Sequence, residues 1–489
     1  MLGWMARKLG FVRQDELLRH KRALAAQYFE AARTHRLNEK HWAAASGFDL
    51  NAQLLPDLDT IRNRALFEIA NSGYAAGLVN TYADDLVGKY GPRLQIVIEA
   101  RGRAASSFER QVEADFASWC EVCDASSEDQ LCDLLRMQVK HWFWAGEFAQ
   151  QLISDADTPG PVQLRVVPIA PQRIATPLVL LGDQRVEGGV RVDRNNRPVE
   201  YYVLKEHPGS LFATLRNLGE HDTIPARDLR LVFEREQAGQ VRGVPKLSPV
   251  IETFAQVRQY ISDTQAAARV AAMMAGFVYT DHPEAKFDDL TDELEIFDME
   301  PGTLTTLPQG WKFEQSKPTQ PTTTFKDFKR EQLSEAARPI AMPWLRIGCD
   351  ASGHTYSSAR LDMNGYWGGI RTKHGFLERR HLTPLFRRWL AEYRLATGIS
   401  VPRNWRVEWS WEPGPAIDEV KTAGAQKIRL QTVATLRDEC DAVGKDWAAQ
   451  IRQWVREEAL ERAERAAAGL PEKEQAPSAA EARTVRSKP

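Results

Sequence analysis

Cys120 and Cys123 form a Cys-x-x-Cys with Cys132 behind them, the kind of spacing that brings thiolates to one metal ion or closes a redox disulfide. A zinc site needs a fourth ligand, and a redox pair needs a thioredoxin-like strand before it. Neither is evident, and Trp119 and Val122 place the pair in a helix. Asp84-Asp85 and Asp288-Asp289 are carboxylate pairs of the sort that can hold Mg2+. Adjacent residues on a helix face in different directions, so both pairs read as solvated helix surface. His141, beside Trp142 and Trp144, reads as a buried, satisfied histidine and not as a general base. There is no Gly-x-x-x-x-Gly-Lys-Ser/Thr to cradle phosphates, no Gly-x-Ser-x-Gly, no His-Glu-x-x-His and no EF-hand loop. The expectation is a protein without catalytic residues, metal or cofactor.

Two other features carry binding chemistry. From Ser357 to about Thr397 a helical segment holds Arg371, Lys373, Arg379, Arg380, Arg387, Arg388 and Arg394 against only Asp362, Glu378 and Glu392. That is a face for phosphate or for an acidic neighbouring subunit, or a solvated basic face with Leu377, Phe386, Trp389 and Leu390 turned to a core. Stacking aromatics do not alternate with the basic residues, which favours a subunit contact over DNA. The chain has 14 tryptophans, and Trp405, Trp409 and Trp411 share an alternating face that packs a core or covers a subunit contact.

These residues must be positioned by helices and short strands. With 489 residues, 43% of them hydrophobic, the chain can bury sizeable cores and should form several subdomains. A net charge of −2 marks no global nucleic-acid binder. No signal peptide and no 18-residue apolar run is present, so a soluble protein made in the cytoplasm is expected. Five cysteines make no disulfide framework. Asp59 to Val87 and Ser106 to Phe148 read as helices around a strand at Leu94 to Glu99. Val190 and Val192, then Val199, Tyr201 and Val203, alternate across a turn-rich Asp193 to Pro198, which is a β-hairpin.

The longest element follows Gln240-Val-Arg-Gly-Val-Pro-Lys-Leu-Ser-Pro249. Ser248 suits an N-cap and Pro249 the first helical position. Leu247, Val250, Ile251, Phe254, Val257 and Ile261 make one helix face, and the pattern blurs into alanines before Gly276. That is about 27 residues, or roughly 40 Å of helix. Short strands at 277–279, 302–306 and 311–314 follow, then a helix from Phe325 to Ile340 ended by Pro339 and Pro343. A turn-rich loop Arg346 to Tyr356 precedes the basic helix. Val401 to Trp411 is strand-like, 416–468 helical, and 470–489 too poor in apolar residues to order.

The order of these landmarks resembles the portal proteins of lambda-like tailed phages. Arg242-Gly243-Val244-Pro245 before a long helix looks like that family's centre. Tyr28, Ala31 and Arg33 through Trp42, Arg62 to Asn71, Val79 to Gly88, Gly146-Glu147, Val167-Pro168 to Thr176-Pro177, Val190 to Val203, Tyr356 to Arg360 and Glu419 to Gly444 resemble its other landmarks in order, over roughly residues 20–460. Glu236 to Gln240 departs, standing where the family shows a more basic turn.

The resemblance implies an α+β portal fold. Its parts would be an N-terminal arm 1–40, an α/β wing 41–245, a first stem helix 246–276, a small clip 277–324 and a second stem helix 325–342. A channel (tunnel) loop 343–356, a long helix and wing strand 357–415, a helical crown 416–468 and a disordered tail 469–489 would complete it. Twelve copies would form a ring passing double-stranded DNA without sequence specificity. It would be made in the host cytoplasm and sit at a capsid vertex. Its partners would be the terminase large subunit, major capsid and scaffold proteins, and head–tail completion proteins. Arg346, Asp350, Ser352, His354, Thr355 and Tyr356 would line the channel, with Gly348 and Gly353 allowing unusual backbone angles. Asp298, Glu300, Lys312 and Lys317 would dock the motor, and Arg371, Arg379, Arg380, Arg387 and Arg388 would form an intersubunit or DNA face. A Mg2+-dependent nuclease and a ring-forming adaptor of another assembly are the competing readings.

Overall fold

A computed structural model describes residues 36, 39–43, 45, 47–98, 103–211, 219–273, 277–280, 311–314, 324–402, 404–414, 419–442 and 447–468. The expected arm 1–40, apart from residues 36, 39 and 40, and the expected tail 469–489 lie outside them. The chain divides into two units, 1–53 and 54–489. In the first, the Asp49 carboxylate accepts the Ala52 N–H at 2.9 Å and caps the start of helix α1 (Leu50–Asn71).

In the second unit, Ser72 ends α1 and caps α2 (Gly73–Val87), its hydroxyl accepting from the Ala75 N–H at 3.4 Å. Strand β1 (Arg93–Ile98) precedes α3 (Arg103–Cys120) and α4 (Leu131–Ala145). The helical span expected to Phe148 therefore closes at Ala145. Gly146 takes the left-handed conformation (φ 83°), and Phe148 lies in β2 (Glu147–Ser154). Cys120 is the last residue of α3, while Cys123 lies in the turn beyond it and not in the helix.

β3 (Leu164–Ile169) pairs with β2, and β4 (Val186–Glu187), β5 (Val190–Val192), β6 (Pro198–Leu204) and β7 (His221–Pro225) form a four-stranded antiparallel sheet in that order. The expected hairpin is β5–β6, in register Val190 opposite Tyr201, with a bulge at Arg191–Val192. β8 (Leu229–Phe233) returns to the other side of β2, giving the order β3-β2-β8.

The long helix is α5 (Ile251–Met273). It starts later than the Ser248–Pro249 cap reading, because a turn intervenes in which the Leu247 carbonyl accepts the N–H groups of both Val250 and Ile251. Leu247, Val250, Phe254 and Val257 are buried, as the spacing requires. β9 (Phe277–Thr280) and β10 (Trp311–Glu314) pair antiparallel; the strand expected at 302–306 lies outside the described residues. α6 (Phe325–Ala336) packs on α5 through Tyr260 against Phe325 and Phe328, at centroid distances of 5.6 and 5.0 Å. α6 ends at Ala336, short of the expected Ile340, in a 3-10 turn Arg338–Ile340 that contains Pro339.

α7 (Trp344–Ile347) is a single turn where a loop was expected. The basic helix is two: α8 (Tyr356–Leu377) and α9 (Thr383–Thr397), joined by a π turn Glu378–Leu382. Pro384 is the cause, since it has no N–H to give the Arg380 carbonyl and its ring would crowd that carbonyl. β11 (Trp405–Ser410) pairs antiparallel with β1 from Arg93–Ser410 to Ile98–Trp405. α10 (Glu419–Thr432), α11 (Leu436–Ala442) and α12 (Trp447–Ala467) make the helical end. No helix among the described residues is long and apolar enough to cross a membrane.

The second unit holds three apolar clusters. The first joins α2, α4, α5, α6 and α8; the second joins α3, β3 and α9; the third lies between the β5–β6–β7 strands and β8.

Candidate functional site

Glu147 begins β2 because Gly146 turns the chain sharply out of α4, and its carboxylate is completely buried. It accepts the Arg62 Nη2 donor at 2.8 Å, Arg242 Nε at 2.8 and 3.1 Å on its two oxygens, Arg242 Nη2, and the Gly243 N–H at 2.9 Å. Arg242 spends its remaining donors on the carbonyls of Ile174, Gly188 and Pro171, at 2.7, 2.6 and 2.9 Å. Arg62 donates to the Ala145 carbonyl from Nε and Nη2. Burial would raise the Glu147 carboxyl, but the Arg242 and Arg62 charges hold it below the ordinary carboxylate value. Arg62 is lowered to about 10, by burial, against the pull of Glu147.

A Cβ on Gly243 would collide with the Gly146 carbonyl, and one on Gly146 would collide with Gly243 and Val244. The two landmarks of the sequence, Gly146-Glu147 and Arg242-Gly243, are therefore one structural joint. It ties the end of α4 and the start of β2 to the segment that launches α5. Neither motif alone announces their mutual pairing; an acid and two arginines, each beside an apolar-rich element, are the signal the sequence carries.

The expected channel loop is placed as follows. Arg346 lies in α7 and is ion-paired with Asp85, its Nε at 3.1 Å from Oδ2; Tyr366 donates its hydroxyl to the same oxygen at 3.0 Å. Arg346 thus does not offer a free charge, and Asp85 is not solvated: its side chain is 8% exposed, whereas that of Asp84 is 63% exposed. Helix α2 turns only one member of the pair toward α7 and α8. Asp288 and Asp289 lie outside the described residues.

Gly348 has an ordinary φ of −88°, so its glycine is required for another reason: a Cβ would strike the Trp344 ring. Gly353 does take a positive φ, 82°, and Cys349 joins it at 48°. Asp350 Oδ1 accepts the Ser352 N–H at 2.8 Å, and hydrogen bonding from the Ser352 side chain first, then from its N–H, holds the Asp350 carboxyl below the ordinary value. His354 Nε2 is 3.7 Å from Asp362. Thr355 is committed to the cap of α8, its hydroxyl accepting the Ser358 N–H at 3.3 Å while the Ser358 hydroxyl accepts the Thr355 N–H at 3.0 Å. Ser352 is exposed, and the Tyr356 ring is exposed beneath the Lys421 ammonium, 4.7 Å from the ring centroid.

Of the expected docking residues, Lys312 is exposed on β10 opposite Tyr279; Asp298, Glu300 and Lys317 lie outside the described residues. Arg371, Arg379, Arg380, Arg387 and Arg388 are all exposed, while Leu377, Phe386, Trp389 and Leu390 are buried beneath them. Trp405 and Trp409 pack within the chain, Trp409 Nε1 donating to the Thr383 hydroxyl at 3.0 Å. Trp411 stacks on His374 at 4.0 Å. Burial pushes the Cys123 thiol up to about 12 and Cys120 well above its ordinary value, the reverse of what a thiolate ligand needs. Among the described residues no group of three His, Cys, Asp or Glu side chains converges on a metal position.

The family model described as "Phage portal protein, lambda family" matches residues 35–373. A "Probable portal protein" of Halomonas phage phiHAP-1 is 24% identical over 436 residues, covering 83% of this chain and 81% of its own length. "Portal protein B" of Escherichia phage lambda is 22% identical over 476 residues, covering 86% of each chain. Among solved structures, a chain from the neck of an empty GTA particle is 14% identical with a TM-score of 0.46, covering 83% of this chain and 97% of that one.

Proposed function

The chain belongs to the lambda family of phage portal proteins, and from that premise we propose that it acts as a ring-shaped DNA channel at a capsid vertex. In this reading α5 and α6 are the stem helices, β9 and β10 belong to the clip, and residues 343–356 face the channel. The β-sheets between residues 147 and 233 belong to the wing, and α10 to α12 to the crown. The ring would have twelve copies, be assembled in the host cytoplasm with capsid and scaffold proteins, hold the terminase large subunit during packaging, and later receive head–tail completion proteins. It would pass double-stranded DNA through few backbone contacts and leave ATP hydrolysis to the motor.

The observation that supports this most is the family match over residues 35–373, within which the two packed helices α5 and α6 and the joint at Glu147 fall. A ring also needs contacts that close by rotation, and α5 leaves much of its small-sided second half exposed. Light scattering and negative-stain electron microscopy of the purified protein under reducing conditions test the reading. Closed hollow rings, wide enough for duplex, are expected. A species that stays monomeric across micromolar concentrations overturns it, and Mg2+-dependent cleavage of plasmid by the pure protein would point to the nuclease instead.

A further inference from the structure

The sheet β3-β2-β8 carries opposite charge along its two edges. On the β8 side, Arg230 of β8, Arg235 of the turn after it, and Arg379 and Arg380 of the π turn surround a cleft of about 260 Å³, with Tyr201 and Phe233 in its wall. No carboxylate lines it, and none of the four arginines meets one within 4 Å among the described residues. Arg230 and Arg380 lie below the ordinary guanidinium value, through burial first and then the like charge of Arg380 on Arg230 and of Arg235 on Arg380. Four cations in one cleft repel one another, so the isolated chain holds an unbalanced charge there.

On the β3 side, the loop between α3 and α4 lies along the outer strand. The Val166 N–H donates to the Cys123 carbonyl at 2.7 Å, and the Ala125 N–H donates to the Val166 carbonyl at 3.0 Å. Asp124 is used up inside this loop, accepting the Ser126 hydroxyl and the N–H groups of Glu128 and Asp129. Those bonds fix the loop so that Glu121, Glu128 and Asp129 stand exposed, with no cation partner within 4 Å among the described residues.

We propose that the arginine cleft of one subunit receives the acidic loop 121–129 of the next copy of this chain. The proposal rests on the ring reading above. In a ring each subunit meets its neighbour through two different surfaces, so complementary patches must sit on different flanks of the same molecule. Opposite edges of one sheet satisfy that requirement. A cleft of about 260 Å³ cannot take in a DNA duplex as a body, whereas it has room for two carboxylate side chains with aromatic and aliphatic wall contacts. Guanidinium groups pair carboxylates through forked donors, which fixes register as well as attraction.

The experiment uses two charge-reversed full-length variants, R379E/R380E and E128R/D129R, assayed by mass photometry. Glu128, Asp129 and Arg379 are exposed, Arg380 is partly sunk in the cleft, and none of the four has an ion pair to lose among the described residues, so both variants are expected to fold. Each alone is expected to disperse the rings, raising the concentration for assembly roughly tenfold or more through like-charge contact. Mixed in equal amounts they are expected to assemble again, because each variant's cleft then meets an opposite charge on the other's loop. Either variant assembling as well as the wild type overturns the pairing, as does a mixture that stays as dispersed as its components. A wild type that forms no ring overturns the ring reading and the pairing together; rings unaffected by reversal overturn the pairing alone. R379Q/R380Q, which removes charge without reversing it, is expected to lie between, and a wild-type result for it with a folding defect in R379E/R380E also counts against the pairing.

Discussion

Arg242 reaches across 95 positions of sequence to set its Nε between the two oxygens of Glu147, at 2.8 and 3.1 Å. Both side chains are out of water, and every donor the arginine has left goes to a backbone carbonyl. A buried ion pair of this kind is costly to assemble and more costly to break, because the surviving partner is left charged in a dry site.

Glu147→Gln should therefore destabilise the protein by roughly 3–5 kcal/mol, as Arg62 and Arg242 lose their common anion. Denaturant unfolding of the subunit measures this. The folded carboxyl lies below its ordinary value of 4.5, so its contribution is present above that pH and is lost as pH falls through the folded value. The substitution should remove that part of the acid limb. A loss under about 1 kcal/mol would mean that the joint tolerates an amide and does not depend on charge.

Gly243→Ala tests the same joint without touching a charge. The new methyl meets the Gly146 carbonyl and can be accommodated only by separating two backbone segments. A cost of roughly 1–3 kcal/mol or more is expected from overpacking. Gly77→Ala, where nothing lies within 4 Å of the added carbon, is the matched control and should be neutral or stabilising. Equal melting temperatures for the two variants would refute the collision.

Three histidines, His374 and His381 buried and His141 partly so, shape the stability at mild acidity. Burial lowers His141 and His374 to about 4 and His381 to about 3. Their folded values lie below the unfolded 6.5, so stability from these sites is full above pH 6.5 and falls as the unfolded chain takes up protons between about pH 6.5 and 4. Three protons give a slope of up to roughly 4 kcal/mol per pH unit. His374 donates Nε2–H to the Leu86 carbonyl at 2.8 Å, whereas neither His381 ring nitrogen has a hydrogen-bond partner among the described residues. His381→Leu should accordingly be tolerated, and should take about one-third off the acid slope. Stability that stays flat from pH 6.5 to 4 would contradict all three assignments.

In the channel reading, deleting residues 349–353 should leave assembly intact and impair DNA packaging or retention. Arg346→Ala should behave differently. It strands Asp85, which is 8% exposed, and should cost roughly 1–3 kcal/mol of stability before any effect on DNA is seen. Particles that package and keep their genome normally after the deletion would remove the loop from the channel.

Helix periodicity carried most of what the sequence disclosed. Leu247 to Val257 repeated at helical spacing and that face is buried; Val190, Val192, Tyr201 and Val203 alternated and form the hairpin. What pattern could not reach was pairing between distant residues. Asp84 and Asp85 read alike as solvated helix surface, and nothing local announces that Arg346 and Tyr366 converge on Asp85 from elements far along the chain. Gly348 looked like a flexible position, yet it is required by the bulk of Trp344. Local signals report backbone preference, and the role of a side chain is settled by what the fold brings to it.

The π turn Glu378–Leu382 works as a phase shifter. One residue more than an α-helical turn advances the apolar stripe by about 100°. Leu377 and Leu382 point into the first apolar cluster, while Leu385, Phe386, Trp389 and Leu390 point into the second. A straight helix over the same residues would aim both stripes by one rotational setting and starve one cluster of its aromatic filling. Removing a single residue from the turn would therefore swing Phe386 and Trp389 away from Phe116, against which they sit at 5.2 Å. The length of this turn, more than the identity of its arginines, dictates where α9 directs its bulk.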